Sequence, residues 1–455
     1  MVDIGTLSLI LLLAMLVLLA IGMPLGFASG FLAFLVLLLK FGPDLLFSNF
    51  GTGPLNILAQ RMYGLTTDYV IISVPLFIFM ASLLERSGIA KDMYSALNIW
   101  LSRTRGGIAI VTAIMAIIMA AMSGIIGGEV VLLGLIALPQ MMRLGYNQNL
   151  AIGTICASGS LGTMIPPSIV LIIYGLVTET SIHALFKAAF LPGFMLGSFI
   201  IIYNIIRTRL QPELAPLPEG AQDVSFRDKL AALPQLIPPI LVVIVVLGSI
   251  YGGITGITEA AGMGVVAVLL LTLFRGELSF DLLKEGLMRT FKSTGTILWV
   301  TFGATALAGA YSIAGGPTYV ANLIVGAELP PMGIILVMMV IFLFLGAVMD
   351  WVGIVLLVMP VFLPIIVRLP VEEIGLIGGI APGFVAVWFG VVFCMNMQVS
   401  FLSPPFGPAA FYLKSVAPPE ISLTDIFKGF LPFIAIQLLA LAILLAFPAL
   451  TTVFL

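Results

Sequence analysis

The sequence predicts an all-α polytopic membrane protein with inverted repeats, containing two re-entrant helical hairpins and two broken transmembrane helices. Three observations lead there. Long apolar runs fill the chain, which is 61% hydrophobic and 9% charged, with a mean hydropathy of +1.23; a soluble domain carries about 25% charged residues. Two apolar runs are interrupted by Pro-Pro pairs, in GSLGTMIPPSIVLIIYG (Gly159 to Gly175) and VSFLSPPFGPAAFYLK (Val399 to Lys414). Two others carry small or acidic residues at their centres, in MSGIIGGEV (Met122 to Val130) and LGAVMDWVG (Leu345 to Gly353).

Composition also removes function classes. A net charge of −2 gives no nucleic-acid footprint. Two cysteines, Cys156 and Cys394, and one histidine, His183, are too few for thiolate clusters or multi-histidine metal sites. The cysteines read as small buried apolar residues. The first apolar stretch has no basic flank and no small-residue cleavage site, so it is expected to stay as an anchor. There is no glycine-rich phosphate loop followed by Lys and Ser or Thr, and no Ser-His-Asp set beyond a single His. The chain therefore reads as a non-enzyme whose pumping draws on an ion gradient or on a separate subunit.

A bilayer core of about 30 Å takes about 20 helical residues. Runs that meet this fall at 7–39, 70–84, 150–178, 189–206, 236–252, 257–274, 294–314, 376–412 and 429–450, the first divided at Gly22-Met23-Pro24. The runs at 108–140 and 332–366 instead read as hairpins that enter and return on one side, because Glu129 and Asp350 at lipid-facing mid-depth would be costly. Irregular backbone at that depth needs protein or a water-filled cavity around it.

Charge fixes the orientation. Lys and Arg collect at Arg86, Lys91, Arg103 and Arg105; at Arg207, Arg209, Arg227 and Lys229; and at Arg275, Lys284, Arg289 and Lys292, all placed in the cytoplasm by the positive-inside rule. Parity then requires the first hairpin to open from the cytoplasm and the second from the opposite face. His183 falls on an extracytoplasmic loop in this scheme. The polar link from Arg207 to Leu233, with Pro212, Pro216 and Pro218, separates two halves. Pro166-Pro167 and Pro404-Pro405 differ by 238 residues (404 − 166), and the same offset pairs Cys156 with Cys394; FKAAFLP from Phe186 resembles FKGFLP from Phe427. The segmentation is 1–69 for amino-terminal scaffold helices, 70–206 for a first repeat, 207–293 for linker and scaffold, and 294–455 for a second repeat. Matching broken helices with opposed hairpins are the pattern of an inverted-repeat transporter.

Proline in a helix removes a donor and clashes with the previous turn, and glycine relaxes the backbone near it. Gly159, Gly162, Pro166 and Pro167 predict an unwound segment, as does the stretch from Asn396 to Gly407. Freed carbonyls there, with hydroxyls of Ser158, Ser160 and Thr163 or of Ser400 and Ser403, are hard oxygen ligands suited to sodium. Half-helix amino ends suit an anionic substrate. Glu129 and Asp350 have two readings, cation ligand or proton carrier against a cap for hairpin-tip amides, with the cap favoured. Glu259 has two readings, an interhelical hydrogen bond or salt bridge against a transport role, with the former favoured. The segments SGIAKDMYSALNIWL and PTYVANLIVGAEL read as interfacial arm helices or as plain connecting loops.

These motifs resemble the large membrane subunit of tripartite ATP-independent periplasmic (TRAP) transporters over nearly the whole chain. The resemblance rests on GMPLGFASG, MSGIIGGEV, SGSLGTMIPPS, TGITEAA, GAVMDW and NMQVSFLSPPFG. QVSFLSPPFGPAAFYLK is most similar to the branch labelled mannitol/chloroaromatic. Ser400 stands where that family usually has glycine, and Ser403 where it usually has threonine, which bears on substrate preference.

The resemblance implies a sodium-coupled elevator of the bacterial inner membrane, importing an organic anion such as a carboxylate. It implies a separate small four-helix membrane subunit and a periplasmic substrate-binding protein as partners. It implies one sodium site at Ser123, Gly124, Ser158, Gly159 and Thr163, and a second at Gly346, Asp350, Asn396, Ser400 and Ser403. Substrate contacts are expected from Ser160, Thr163, Pro166, Ser400, Ser403 and Pro404. The alternatives are a stand-alone sodium/dicarboxylate symporter of the same superfamily, an intramembrane enzyme using Glu129 and Asp350, and an ion channel.

Overall fold

A computed structural model describes residues 2–42, 53–217, 224–326 and 328–455. Residues 43–52 of the expected amino-terminal scaffold and Pro218 of the expected linker lie outside them. Caps written in the sequence start many of the helices. Asp3 accepts from the first amides of α1 (Ile4–Ala20), and Pro24 precedes α2 (Leu25–Phe41). Proline at the first position opens α3 (Pro54–Thr67), where its missing donor costs nothing. The first long membrane helix, α4 (Ser73–Arg86), follows a short 3₁₀ turn at Tyr69–Ile72.

Next come α5 (Ile89–Leu101), then α6 (Gly107–Ser123) and α7 (Gly128–Arg143), joined by the short tip at residues 124–127. The first broken helix is α8 (Gln148–Gly159), a 3₁₀ turn at Ser160–Thr163, and α9 (Ile169–Thr178). After it come α10 (Ile182–Leu210), α11 (Phe226–Ala232), α12 (Ile237–Tyr251) and α13 (Ile257–Phe274).

The same order of parts then recurs. A long helix, α14 (Phe280–Ile313), leads to α15 (Gly316–Val325) and to a second hairpin of α16 (Pro331–Gly346) and α17 (Trp351–Ile366). The second broken helix is α18 (Val385–Leu402) and α19 (Pro408–Lys414), followed by α20 (Leu423–Ala446). Both segments left open between arm helix and loop are helical, as α5 and α15. Among the described residues, seven helices are long and apolar enough to cross a membrane.

Contacts at the two ends bear on orientation. Thr208 Oγ1 donates to the Arg105 carbonyl (3.4 Å), Trp100 Nε1 to the Lys229 carbonyl (3.0 Å), and Arg275 pairs with Asp92 (2.5 Å). All three basic groups therefore meet at one end, the cytoplasmic one. Glu277 and Asp92 together push the Arg275 pKa further above its usual value. At the other end Tyr69 Oη donates to Glu259 (3.0 Å), Tyr174 Oη to the Ala386 carbonyl (2.7 Å), and the Leu376 and Ile377 amides to the Ala446 carbonyl (2.9 and 3.1 Å). The α6–α7 hairpin thus opens toward the cytoplasm and the α16–α17 hairpin away from it. Corresponding helices of the two halves run in opposite directions.

Three details differ from expectation. The second broken helix starts at Val385 and not at 376, because Gly375 (φ +90°), Gly378 (φ +70°) and Pro382 interrupt an apolar stretch before it. Its opening begins at Ser403: Asn396 and Ser400 stay helical, since no proline falls between Val385 and Ser403. His183 sits in the first turn of α10, its Nε2 3.1 Å from the Ile250 carbonyl, and not on a loop.

Lipid tails are as apolar as leucine, so helices here associate through close packing and polar contacts. One large buried cluster joins both hairpins and both broken helices, and a smaller one joins α1, α2, Leu58 and the last turns of α14. A side chain at Gly303 on α14 would run into the Gly26 backbone of α2, so glycine sets the closeness of that crossing.

Candidate functional site

The hairpin tips and the helix breaks fold against one another. Gly124 turns the first tip in the left-handed region (φ +68°), and its carbonyl accepts from the Ile169 amide just past Pro166-Pro167 (3.0 Å). In the second half the Ala347 carbonyl accepts from the Phe406 amide just past Pro404-Pro405 (3.2 Å). Both Pro-Pro bonds are cis. Each tip is thereby pinned to its own break. The two breaks differ in setting, because Pro166 and Pro167 are buried while Pro404 and Pro405 are exposed.

Between them lies a cavity of about 280 Å³. Ile125 and Ile126 come from the first tip, Asp350, Trp351 and Val352 from the second, Thr163 from the first break, and Pro408 and Tyr412 from beyond the second. The remaining wall is Ser293, Thr296 and Ile297 of α14. Hydroxyls and one carboxylate thus face an otherwise apolar space, the composition expected of a small-molecule site. A second cavity of about 250 Å³, at the cytoplasmic base beside Asn98, Gln140 and Tyr146, contains no tip or break residue.

The expected site residues divide. Thr163 lines the cavity, donating to the Ser160 carbonyl (2.8 Å) and accepting from Gln398 Nε2 (2.7 Å). Ser160 turns away: its hydroxyl donates to the Ala157 carbonyl (2.9 Å) and meets Gln437 of α20 at 3.5 Å. Ser403 donates to the Val399 carbonyl of its own helix (2.8 Å). Neither Pro166 nor Pro404 lines the cavity. Gly346, Asp350 and Ser400 wall a separate void of about 10 Å³, close to the space one water needs. Asn396 Nδ2 donates to the Met339 carbonyl (3.1 Å), while its buried Oδ1 has no partner among the described residues.

At the first tip Ser123 donates to Glu129, which closes the turn across the hairpin. Glu129 is 1% exposed, and a side chain at Gly162 would stand 2.6 Å from its Oε1. The carboxylate is therefore wedged between tip and break, with Oε2 unpartnered among the described residues, as is the buried Ser158 hydroxyl. Gly159 packs its backbone on Val130, beside this cluster. Sequence reading missed Gln398, Tyr412 and the α14 wall. The polar run KSTGT at the edge of an apolar span was the available signal for the wall, and a glutamine in an otherwise buried helix the signal for Gln398.

A family model described as "Tripartite ATP-independent periplasmic transporter, DctM component" matches residues 12–450. The chain belongs to this family. Curated relatives agree over most of their lengths. The C4-dicarboxylate TRAP transporter large permease protein DctM of Pseudomonas aeruginosa is 28% identical over 401 residues, 88% of this chain and 89% of that one. The ectoine TRAP transporter large permease protein TeaC of Halomonas elongata is 28% identical over 404 residues, again 88% and 89%. The sialic acid TRAP transporter large permease protein SiaM of Vibrio cholerae is 26% identical over 435 residues, 94% of each. A solved structure of the Alcanivorax borkumensis YdaH transporter covers 90% of this chain and 89% of its own at TM-score 0.54 and 15% identity, a likeness of fold alone.

The TRAP permease described here is thus a multi-pass inner-membrane protein, the large subunit of a binding-protein-dependent secondary transporter. Its family works with a small membrane subunit and a periplasmic binding protein.

Proposed function

We propose that this permease imports an organic anion, a carboxylate, together with sodium, by moving both hairpins and both broken helices as one body along α14. The observation that carries the reading is the cavity itself, walled by both tips, by the first break, by residues just past the second, and by α14. Hydroxyls of Thr163, Tyr412, Ser293 and Thr296 and the helix ends at the tips would hold the anion, since no Lys or Arg lines the cavity among the described residues.

Sodium fits as co-transported substrate because buried oxygens near both tips lack partners among the described residues: Ser158 Oγ and Glu129 Oε2 by the first, Asn396 Oδ1 by the second. The 10 Å³ void beside Asp350 and Ser400 adds a second space of ionic size. An ion held there braces the tip that walls the cavity, and coupling follows from the difference in affinity between the two ends of the stroke. The small subunit would brace the fixed helices, and the binding protein would deliver the anion.

The test uses the permease with its small subunit in proteoliposomes, and the carboxylic acid that most raises the melting temperature of the partner binding protein. Uptake is expected only with the loaded binding protein outside and an inward sodium gradient. Uptake of the free acid without the binding protein would instead favour a stand-alone symporter.

A further inference from the structure

One charged group next to the cavity has no part in that reading. Glu85, the penultimate residue of α4, has a side chain only 6% exposed and accepts from Arg289 of α14 through Oε2. Its other oxygen, Oε1, has no hydrogen-bond partner among the described residues. That oxygen lies over Gly128, in the space a side chain there would occupy, and Arg289 Nη2 is 2.6 Å from the same point.

Gly128 is the first residue of the 16-residue helix α7, which has no side-chain cap because Gly127 precedes it. Unpaired amides at a helix start favour a negative group. The acid in that first turn, Glu129, is already engaged by Ser123. The cavity is adjacent: Ile125 and Ile126 of the same tip line it, and Tyr412, another lining residue, covers Gly127.

Depth adds the mechanism. The tip lies at the end of the 17-residue α6, about 25 Å from the hairpin base at 1.5 Å per residue. It is nevertheless level with the last turn of α4, at the cytoplasmic end. The hairpin tip therefore stands at the cytoplasmic end of α4 in this structure.

We propose that the amino end of α7 is a carboxylate site, which Glu85 of the fixed half fills at the cytoplasmic end of the stroke, displacing the carboxylate of the substrate. When the hairpin rises, Glu85 and Arg289 stay behind and the helix end is open to the substrate. On return Glu85 takes the position again, and the anion leaves to the cytoplasm. The stroke and the identity of the displaced anion rest on the proposed function; the contact of Glu85 with the start of α7 does not.

The test is a distance measurement by electron spin resonance on the complex with its small subunit, in lipid nanodiscs, without sodium or substrate. Nitroxides go on Leu135 of α7 and Leu270 of α13, 57% and 47% exposed, while Cys156 and Cys394, at 0% and 1%, are shielded from labelling. Glu85→Ala and Gly128→Ala should each lower the ratio of the cytoplasmic-end population to all others by about threefold to tenfold. Acetate should restore the population in Glu85→Ala, because Arg289 adds to the helix end in holding it only at the cytoplasmic position, and chloride at equal ionic strength should not. An unchanged distribution in both variants overturns the seat. Equal effects of acetate and chloride overturn its preference for carboxylate. Should Glu85→Ala not give a folded complex, Glu85→Gln must show the same loss. Because no substrate enters the measurement, its failure leaves sodium-coupled import standing, and failed uptake leaves the seat standing.

Discussion

The Thr163–Gln398 hydrogen bond offers a sharp test of how the two halves are joined. It links the first break to α18 at 2.7 Å, with Thr163 2% and Gln398 0% exposed. Gln398 Oε1 is already without a partner among the described residues. Thr163→Val would leave the Gln398 amide group wholly unpaired, which costs about 1–3 kcal/mol for a buried polar group. Gln398→Met would remove the orphan oxygen along with the bond, and the Thr163 hydroxyl would keep the Ser160 carbonyl as acceptor. That change should cost about 1 kcal/mol or less. The double variant should be close to Gln398→Met alone, so the coupling equals the cost of Thr163→Val, about 1–3 kcal/mol, and its lower end falls between the average of about 0.6 and the maximum of about 1.7 found for polar contacts between membrane helices. Reversible unfolding by SDS in mixed micelles measures all four proteins. Thr163→Val no less stable than Gln398→Met, or additive single changes, would refute the pairing.

Other predictions follow from the same geometry. Ser158→Ala and Asn396→Leu should each weaken sodium-dependent thermal stabilisation by about tenfold in sodium concentration, as loss of one ligand worth about 1.4 kcal/mol would; Ser160→Ala, whose oxygen is turned to Gln437 of α20, and Ser403→Ala, which does not line the void beside Asp350, should leave it nearly unchanged. Thr296→Val should raise the KM for uptake while keeping sodium stabilisation, because Thr296 lines the cavity from α14 and neither tip. Gly303→Leu should destabilise the permease by about 1–3 kcal/mol in the same SDS titration, since the added side chain must force α14 away from Gly26.

Much of the fold was legible because it departs from plain apolar helix at marked places. Glu129 and Asp350 at the centres of apolar runs gave the hairpins, and two Pro-Pro pairs 238 residues apart gave the breaks. The onset of α18 was not legible, because Leu376, Ile377 and Ile380 score as apolar while the glycines among them deny a helix. Which hydroxyls are free was hidden as well: Ser158 and Ser160 differ by two positions on one turn, and only the packing of α20 against that turn shows that Ser160 is engaged. The α14 wall and the place of Glu85 over Gly128 depend on contacts between helices far apart in the chain, which local sequence does not encode.

Uptake into proteoliposomes containing the permease and its small subunit, with the binding protein loaded with a carboxylic acid outside, tests the central claim most directly. Accumulation that needs an inward sodium gradient and stops when the gradient is collapsed is the expected result. Accumulation of equal rate and extent with potassium in place of sodium on both sides would contradict it.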